Sequence, residues 1–149
     1  MAAGNMYRVG VLGHGAIGSL VADQLSVGSV EGAQLEGVIV RRQHPGPEHE
    51  QLGIQQALER CDLVVECAGQ QAVREHAVRI LEAGVDLLAS SMGALADPVL
   101  AAQVQAAGPG RLISTAGAIG GLDLLGAAAR MGGIEQVLVT TRKLPATLV

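Results

Sequence analysis

The residues whose spacing points most directly to chemistry are three glycines near the start of the chain, arranged as Gly13-x-Gly15-x-x-Gly18. Glycines at this spacing, between a strand and a helix, bind the pyrophosphate of a dinucleotide. Gly13 permits the tight turn, Gly15 lets the pyrophosphate approach the backbone, and Gly18 lets the helix pack on the strand. The predicted phosphate-binding turn also contains the residues between them: His14, Ala16 and Ile17.

The motif alone is weak evidence, because a chain with 21 glycines produces it readily by chance. Its context strengthens it. Val9, Val11 and Leu12 predict a short buried strand before the turn. Apolar residues then recur at helical spacing, at Ile17, Leu20, Val21 and Leu25. The helix N-terminus would offer unpaired N–H groups to the phosphates. The alternative is a glycine-rich turn that binds no ligand.

Two arginines follow the second predicted strand, residues 34–40. An acidic residue usually stands there and holds the ribose 2′-hydroxyl, but this chain has Arg41 with Arg42 beside it. Glu36 lies about 16 Å back along an extended strand, towards the other edge of the sheet. Guanidinium groups favour a 2′-phosphate, so the sequence slightly favours NADP over NAD. A solvated arginine pair, or arginine stacked on adenine, is the alternative and leaves NAD open.

The third predicted strand ends in residues small enough for a ligand to lie close to the backbone. Cys67, Ala68 and Gly69 follow Glu66 at its carboxyl end, where the nicotinamide half of a dinucleotide is expected. We expect Glu66 to orient the loops rather than to act as a functional acid. On the next predicted helix, His76 is expected to be packed and hydrogen-bonded rather than catalytic.

Strands alternate with helices along the chain, which predicts the α/β class with a doubly wound parallel sheet, a Rossmann-type domain. The helix over residues 70–83 is expected to carry an exposed i,i+4 ion pair between Glu75 and Arg79. Asp97 is expected to cap the next helix. Residues 122–130 are expected to form a helix, and the alternating residues 134–142 predict one more strand. We therefore expect a dinucleotide-binding domain over residues 1–133, with residues 134–149 beginning a second domain.

Composition excludes several other classes of protein. Hydrophobic residues make up 49% of the 149, enough for a sizeable core, and the net charge of -4 argues against a nucleic-acid partner. No apolar stretch approaches the roughly 20 residues of a membrane helix, and no signal peptide is visible, so a cytoplasmic location is expected. The spacing of Cys61 and Cys67 predicts neither a disulfide nor a zinc site, so both are expected to be small buried apolar residues. His44 and His49 are not expected to bind a metal.

Four segments together resemble the L-aspartate dehydrogenase family. Their most specific part is the Gly-Ala-Ile-Gly-Gly-Leu-Asp run at residues 117–123, whereas the first glycine motif is common to many oxidoreductases. The similar segments are residues 13–18, 65–76, 91–97 and 115–123. The resemblance extends over nearly the whole chain, and residues 141–145 are similar to the family's entry into its second domain.

This resemblance implies an enzyme that oxidises L-aspartate by hydride transfer to NAD or NADP. The product, iminoaspartate, hydrolyses to oxaloacetate and ammonia or feeds NAD biosynthesis. By position, residues 13–18 would hold the pyrophosphate, Ala118 would contact the cofactor, and residues 67–69 would lie near the nicotinamide ribose. The family's catalytic histidine and most of its homodimer interface belong to the second half of its sequence, so no catalytic residue is expected in this chain.

Two other interpretations stay open at this point. Relatives of homoserine dehydrogenase or dihydrodipicolinate reductase share the glycine turn and a similar exit from the third strand. A non-enzymatic module that senses a dinucleotide would also bind the cofactor without turning over a substrate.

Overall fold

The computed structural model describes residues 6–42, 48–116, 120–140 and 142. These residues include six strands, which form one sheet, and five α-helices. The strands are β1 (Tyr7–Leu12), β2 (Ala33–Ile39), β3 (Gln51–Leu52), β4 (Leu63–Glu66), β5 (Asp86–Ala89) and β6 (Leu112–Ser114). The helices are α1 (Ala16–Ser26), α2 (Ile54–Arg60), α3 (Gln70–Glu82), α4 (Pro98–Ala106) and α5 (Leu122–Arg130), with a 3-10 turn at Met92–Ala96.

All neighbouring strands in the sheet are parallel, in the order β3-β2-β1-β4-β5-β6. The direction of strand progression reverses between β1 and β4, which are hydrogen-bonded neighbours from Val9 opposite Leu63 to Leu12 opposite Glu66. This confirms the predicted doubly wound α/β class. In such sheets the ligand crevice lies outside the carboxyl ends of the strands, at the point of reversal.

Each face of the sheet is covered by its own apolar cluster. One cluster joins Val9 and Val11 of β1 to Ala22 and Leu25 of α1. The other is larger and packs β4 and β5 against α2, α3 and α4, with Ile80 and Leu87 among its fully buried side chains. Cys61 is free and buried there, as the sequence predicted for a small apolar residue. The central strands are therefore fixed from both sides.

Helix α1 packs on the sheet through small residues, which corrects the predicted apolar stripe. Gly18, Ala22 and Leu25 are its buried residues. Ile17 and Leu20, which follow the same helical spacing in the sequence, are 63% and 65% exposed. The reason is the close approach at Gly18. Because Gly18 lies directly against the backbone after β1, the face of α1 that carries Gly18 must pack on the sheet. The larger apolar side chains on the adjacent faces are consequently turned outward.

Two strand predictions also needed correction. The sequence pattern missed β3, which is only two residues long and pairs with Val38 and Ile39 at one edge of the sheet. Residues 134–140, predicted as a strand, form none in the described part of the chain. A strand requires a neighbouring backbone to bond with, and Val137, Leu138 and Val139 are 48%, 86% and 54% exposed. An alternating pattern of apolar and polar residues is therefore not sufficient by itself to form a strand.

The chain divides into two compact units, residues 1–115 and 116–149. The first contains the whole sheet. The second contains α5, which has the predicted bounds Leu122–Arg130. The predicted domain boundary after residue 133 stays a prediction. Within the first unit, the predicted cap of α4 is confirmed, because Asp97 Oδ1 accepts a hydrogen bond of 2.9 Å from the Val99 N–H.

Strand β5 is tied to β6 by an ion pair whose loss has a predictable pH dependence. The buried Asp86 accepts hydrogen bonds from the Arg111 N–H at 2.8 Å and from Arg111 Nη2 at 2.6 Å. The hydrogen bond from the Arg111 side chain holds the pKa of Asp86 below its ordinary value of 3.8. The carboxylate therefore stabilises the fold above about pH 4, and this contribution is lost as pH falls through the folded-state pKa.

We expect Asp86→Asn to lower the free energy of unfolding at pH 7 by about 1–3 kcal/mol, the cost of hydrogen bonds to a charged group. Urea unfolding at pH 7 and at pH 3 measures it, with Glu31→Gln, in an exposed turn, as the control. The difference between wild type and Asp86→Asn should shrink in acid. A difference of the same size at both pH values would contradict this account.

Candidate functional site

A cavity of about 940 Å³ opens at the carboxyl ends of β1, β2 and β4. It is bordered by the turn after β1, the two arginines after β2, the start of α2 and the first turns of α3. Five predicted site residues line it: Gly13, His14, Arg41, Arg42 and Ala68. Three predicted features therefore meet at one cavity: the phosphate turn, the arginine pair and the exit of β4. The cavity lies at the carboxyl edge of the sheet, where the strand order reverses.

The turn after β1 depends on residues without bulky side chains. Gly13 has φ +98°, and a Cβ there would lie 2.8 Å from Ala68 Cβ, so the loops after β1 and β4 touch. A Cβ on the buried Gly18 would collide with the Gly13 carbonyl oxygen. Gly15 differs from both, because a Cβ there would have no atom within 4 Å. Gly13 and Gly18 are thus required by packing, while Gly15 borders open space.

The start of α1 has the electrostatic character of an anion-binding site. Gly15 is its N-cap, no side chain in the described part of the chain caps the helix, and the first turn contains no acidic residue. Ala16 and Ile17, the first two helical residues, are exposed. The partial positive charge of the helix terminus is therefore left for an external anion beside the open space at Gly15.

The exit of β4 is organised by a buried carboxylate. Glu66 is fully buried and accepts hydrogen bonds from the backbone N–H of Ala68 at 2.8 Å and of Gly69 at 2.7 Å. It also accepts bonds from the Ser91 N–H and hydroxyl, at 2.9 and 3.0 Å. One side chain therefore holds the loop after β4 against the loop after β5. This is the orienting role expected for Glu66.

The three small residues after Glu66 have different environments. Ala68 lines the cavity, whereas the half-buried Cys67 lies beneath α1, with its Cβ 3.5 Å from where a Cβ on Gly18 would be. Burial raises the pKa of the Cys67 thiol. Gly69 has φ +100° and is the N-cap of α3. Ala118, predicted to contact the cofactor, lies outside the described residues.

The arginine pair meets a carboxylate from α3. Arg41 Nη2 lies 3.3 Å from Glu75 Oε2, and Gln71 Nε2 donates a 2.9 Å hydrogen bond to Glu75 Oε1. The predicted Glu75–Arg79 pair is wrong, because Arg79 instead donates to Gln55 Oε1 at 3.2 Å. The hydrogen bond from Gln71, and next the charge of Arg41, hold the pKa of Glu75 below its usual value despite some opposing desolvation. The carboxylate at this rim is therefore ionised at neutral pH.

His76 also lines the cavity, with its side chain 23% exposed. Its Nδ1 is buried and finds no hydrogen-bond partner among the described residues, and its Nε2 is 3.7 Å from Glu75 Oε2. The predicted hydrogen-bonded histidine is therefore packed but not bonded in the described part of the chain. Burial lowers the pKa of His76, which favours a neutral ring at pH 7.

Among the described residues, the other two histidines, His14 and His49, do not form a metal centre with it. His49 Nε2 lies 2.8 Å from Asp23 Oδ1, and the ring of His49 packs edge-on against that of His14. His44 lies outside the described residues. Over the described residues, no group of three or more histidine, cysteine or acidic side chains is arranged to hold a metal ion. The same residues include no helix long and apolar enough to cross a membrane.

Sequence reasoning missed the polar contribution of α3 to the cavity. Gln71, Glu75 and His76 line it, although the sequence placed Glu75 on a solvent-exposed face and His76 in the core. A usable signal was present, because α3 begins directly after the β4 exit and its first turns must border the carboxyl edge of the sheet. Residues 71 and 75 are one helical turn apart and so project the same way.

The sheet order, the glycine turn at the reversal point and the uncapped helix terminus beside an open cavity define a dinucleotide-binding domain of the Rossmann type. A family model described as the NAD-binding domain of homoserine dehydrogenase matches residues 13–109. The chain belongs to this family of NAD-binding domains.

Proteins similar to this chain include several aspartate dehydrogenases. The L-aspartate dehydrogenase of Ruegeria pomeroyi is 43% identical over 95% of this chain and 53% of its own length. That of Archaeoglobus fulgidus is 40% identical over 91% of this chain and 56% of its own. The crystal structure of aspartate dehydrogenase from Thermotoga maritima superposes with a TM-score of 0.67 and 29% identity, over 83% of this chain and 52% of that one. The chain spans about half the length of these relatives, and the predicted resemblance is confirmed.

Two glycine substitutions should separate cofactor contact from packing. Gly15→Ala adds a methyl group in open space and replaces the N-cap glycine with a poorer N-cap, at a cost of up to about 1 kcal/mol. It is expected to weaken NAD(P) binding about tenfold or more by obstructing the pyrophosphate. Gly18→Ala overpacks the helix against the Gly13 carbonyl and is expected to cost about 1–3 kcal/mol of stability. Thermal unfolding and cofactor titration of both variants measure the difference. Equal loss of stability in the two would contradict the assignment of separate roles.

Proposed function

We propose that this chain is the cofactor-binding half of an L-aspartate dehydrogenase. The observation that carries the proposal is the cavity in which the phosphate turn, the arginine pair and the β4 exit meet, in a chain 40–43% identical to L-aspartate dehydrogenases over more than nine tenths of its length. When bound, NAD or NADP would supply the hydride acceptor for the oxidation of L-aspartate at its α-carbon to iminoaspartate. The chain's own residues would bind and orient the cofactor.

The described geometry supports a particular orientation of the dinucleotide. The pyrophosphate would lie against Gly15 at the start of α1, where there is open space and the first helical turn contains no acidic residue. The adenosine ribose would occupy the part of the cavity bordered by Arg41 and Arg42. The nicotinamide half would extend along the β4 exit that Glu66 holds in place.

Two further parts of the proposal concern cofactor choice and the remainder of the reaction. The arginine pair favours NADP, because a guanidinium group makes charge-assisted hydrogen bonds to a 2′-phosphate that a hydroxyl does not offer. We assign no catalytic residue within this chain, and none of its histidines is given the role of handling the proton of the amine. A homodimer and a cytoplasmic location are proposed for the whole enzyme from the family resemblance.

A titration with NADPH and with NADH tests cofactor binding and the role of Arg41 together. We expect binding of both, tighter for NADPH, and a loss of about 10-fold in NADPH affinity in Arg41→Ala, the value of one charged hydrogen bond. Arg74→Ala, an exposed arginine on α3 outside the cavity lining, is the matched control. Binding of neither cofactor by the wild-type chain would overturn the proposed function. An equal loss of NADPH affinity in the two variants would show that Arg41 has no specific role in cofactor binding.

A turnover assay tests the division of labour. The 149-residue chain is expected to bind the cofactor yet produce no NAD(P)H from L-aspartate above background. The reason is that we assign to this chain no residue that handles the proton of the substrate amine. Absorbance at the nicotinamide wavelength measures the rate, and the assay is repeated with L-homoserine because of the family description. Robust oxidation of L-aspartate by this chain alone would show that the catalytic assignment is incomplete.

A further inference from the structure

The acidic residue expected at the end of β2 is absent, but a carboxylate is present at the same rim. Glu75 is the one acidic residue among the described residues that line the cavity. Glu36, the acid within β2, is occupied elsewhere, because its Oε1 accepts a 2.7 Å bond from Arg60 Nε. We infer that Glu75 sets the cofactor preference of this site, by accepting the ribose hydroxyl of NAD(H) and by competing with the 2′-phosphate of NADP(H) for Arg41. This inference rests on the proposed function.

The contacts of Glu75 allow two alternative states of the site, one with NADPH bound and one with NADH bound. Its two carboxylate oxygens have different partners, with Oε1 bonded to Gln71 and Oε2 facing Arg41. The Gln71 bond lies within α3 and does not depend on the ligand, so it keeps the carboxylate at the rim when Arg41 moves. Oε2 is then the oxygen available to a ligand hydroxyl group.

The Arg41–Glu75 pair is weak enough to open. The distance is 3.3 Å, and the two side chains are 76% and 38% exposed. Exposed ion pairs of this kind contribute little to stability, so a stronger ligand can replace either partner. A 2′-phosphate carries more negative charge than a carboxylate and is expected to take Arg41 from Glu75. A hydroxyl group cannot, and it would bond to the carboxylate instead.

The two states differ in electrostatic cost. With NADPH bound, the ionised Glu75 stands near the 2′-phosphate, and like charges a few ångströms apart in a partly desolvated site repel each other. With NADH bound, the same carboxylate accepts a hydrogen bond from the 2′-hydroxyl. Glu75 therefore lowers the NADP preference that Arg41 and Arg42 confer, and the site is expected to accept both cofactors.

The substitution Glu75→Gln tests this inference, because it removes the charge and retains a side chain of the same shape. We expect the ratio of NADPH affinity to NADH affinity to rise about tenfold, which corresponds to about 1.4 kcal/mol. Dissociation constants for both cofactors, measured by calorimetry at fixed ionic strength, give the ratio. Glu82→Gln is the control, since it neutralises an exposed carboxylate on the same helix outside the cavity lining.

The double variant Arg41→Ala/Glu75→Gln identifies the partner through which Glu75 acts. If the carboxylate competes for Arg41, the gain in NADPH affinity should largely vanish when Arg41 is absent. An equal gain in both backgrounds would overturn the competition. A wild-type chain that binds both cofactors while Glu75→Gln leaves their ratio unchanged would overturn the inference and leave the proposed function standing. A wild-type chain that binds neither would overturn both.

Discussion

The structure depends on how closely the first helix approaches the first strand at the centre of the sheet. Gly18 faces the carbonyl oxygen of Gly13, and Gly13 in turn contacts Ala68 of the neighbouring loop. A side chain at either glycine would separate elements that the rest of the sheet holds together. This one contact fixes the direction of α1, and with it the position of the helix terminus at the reversal point of the sheet, where an anionic ligand is favoured.

The opposite wall of the crevice is fixed by a polar interaction. Burying a carboxylate is costly unless it is fully hydrogen-bonded, and Glu66 meets that condition with four donors from the loops after β4 and β5. Because these donors belong to two different loops, the carboxylate couples them. Close backbone packing at Gly18 and hydrogen bonding at Glu66 thus position the two sides of one crevice by different physical means.

Much of the fold could be predicted from the sequence, because many of its features depend on residues that are close together in the chain. The glycine turn, the cap at Asp97 and the bounds of α5 depend on residues a few positions apart, and the structure has them where the spacing placed them. The errors concern partners distant in sequence. Strand β3 exists through pairing with β2, and the alternating residues 134–140 form no strand because alternation does not provide a neighbouring backbone. The outward position of Leu20 follows from a helix phase that only the packed Gly18 determines.

The charged rim of the cavity shows the same difference between local features, which the sequence predicts, and partners distant in sequence, which it does not. Sequence motifs place ribose recognition at the end of β2, so Arg41 was found and its partner was not. The partner, Glu75, lies 34 positions further along the chain on a helix from the other half of the fold. Strand β2 ends and helix α3 begins at the carboxyl edge of one parallel sheet, and that topology brings opposite charges together without any local signal. A recognition site described from one strand end alone therefore omits half of its electrostatics, and the omitted half is the one that opposes the 2′-phosphate.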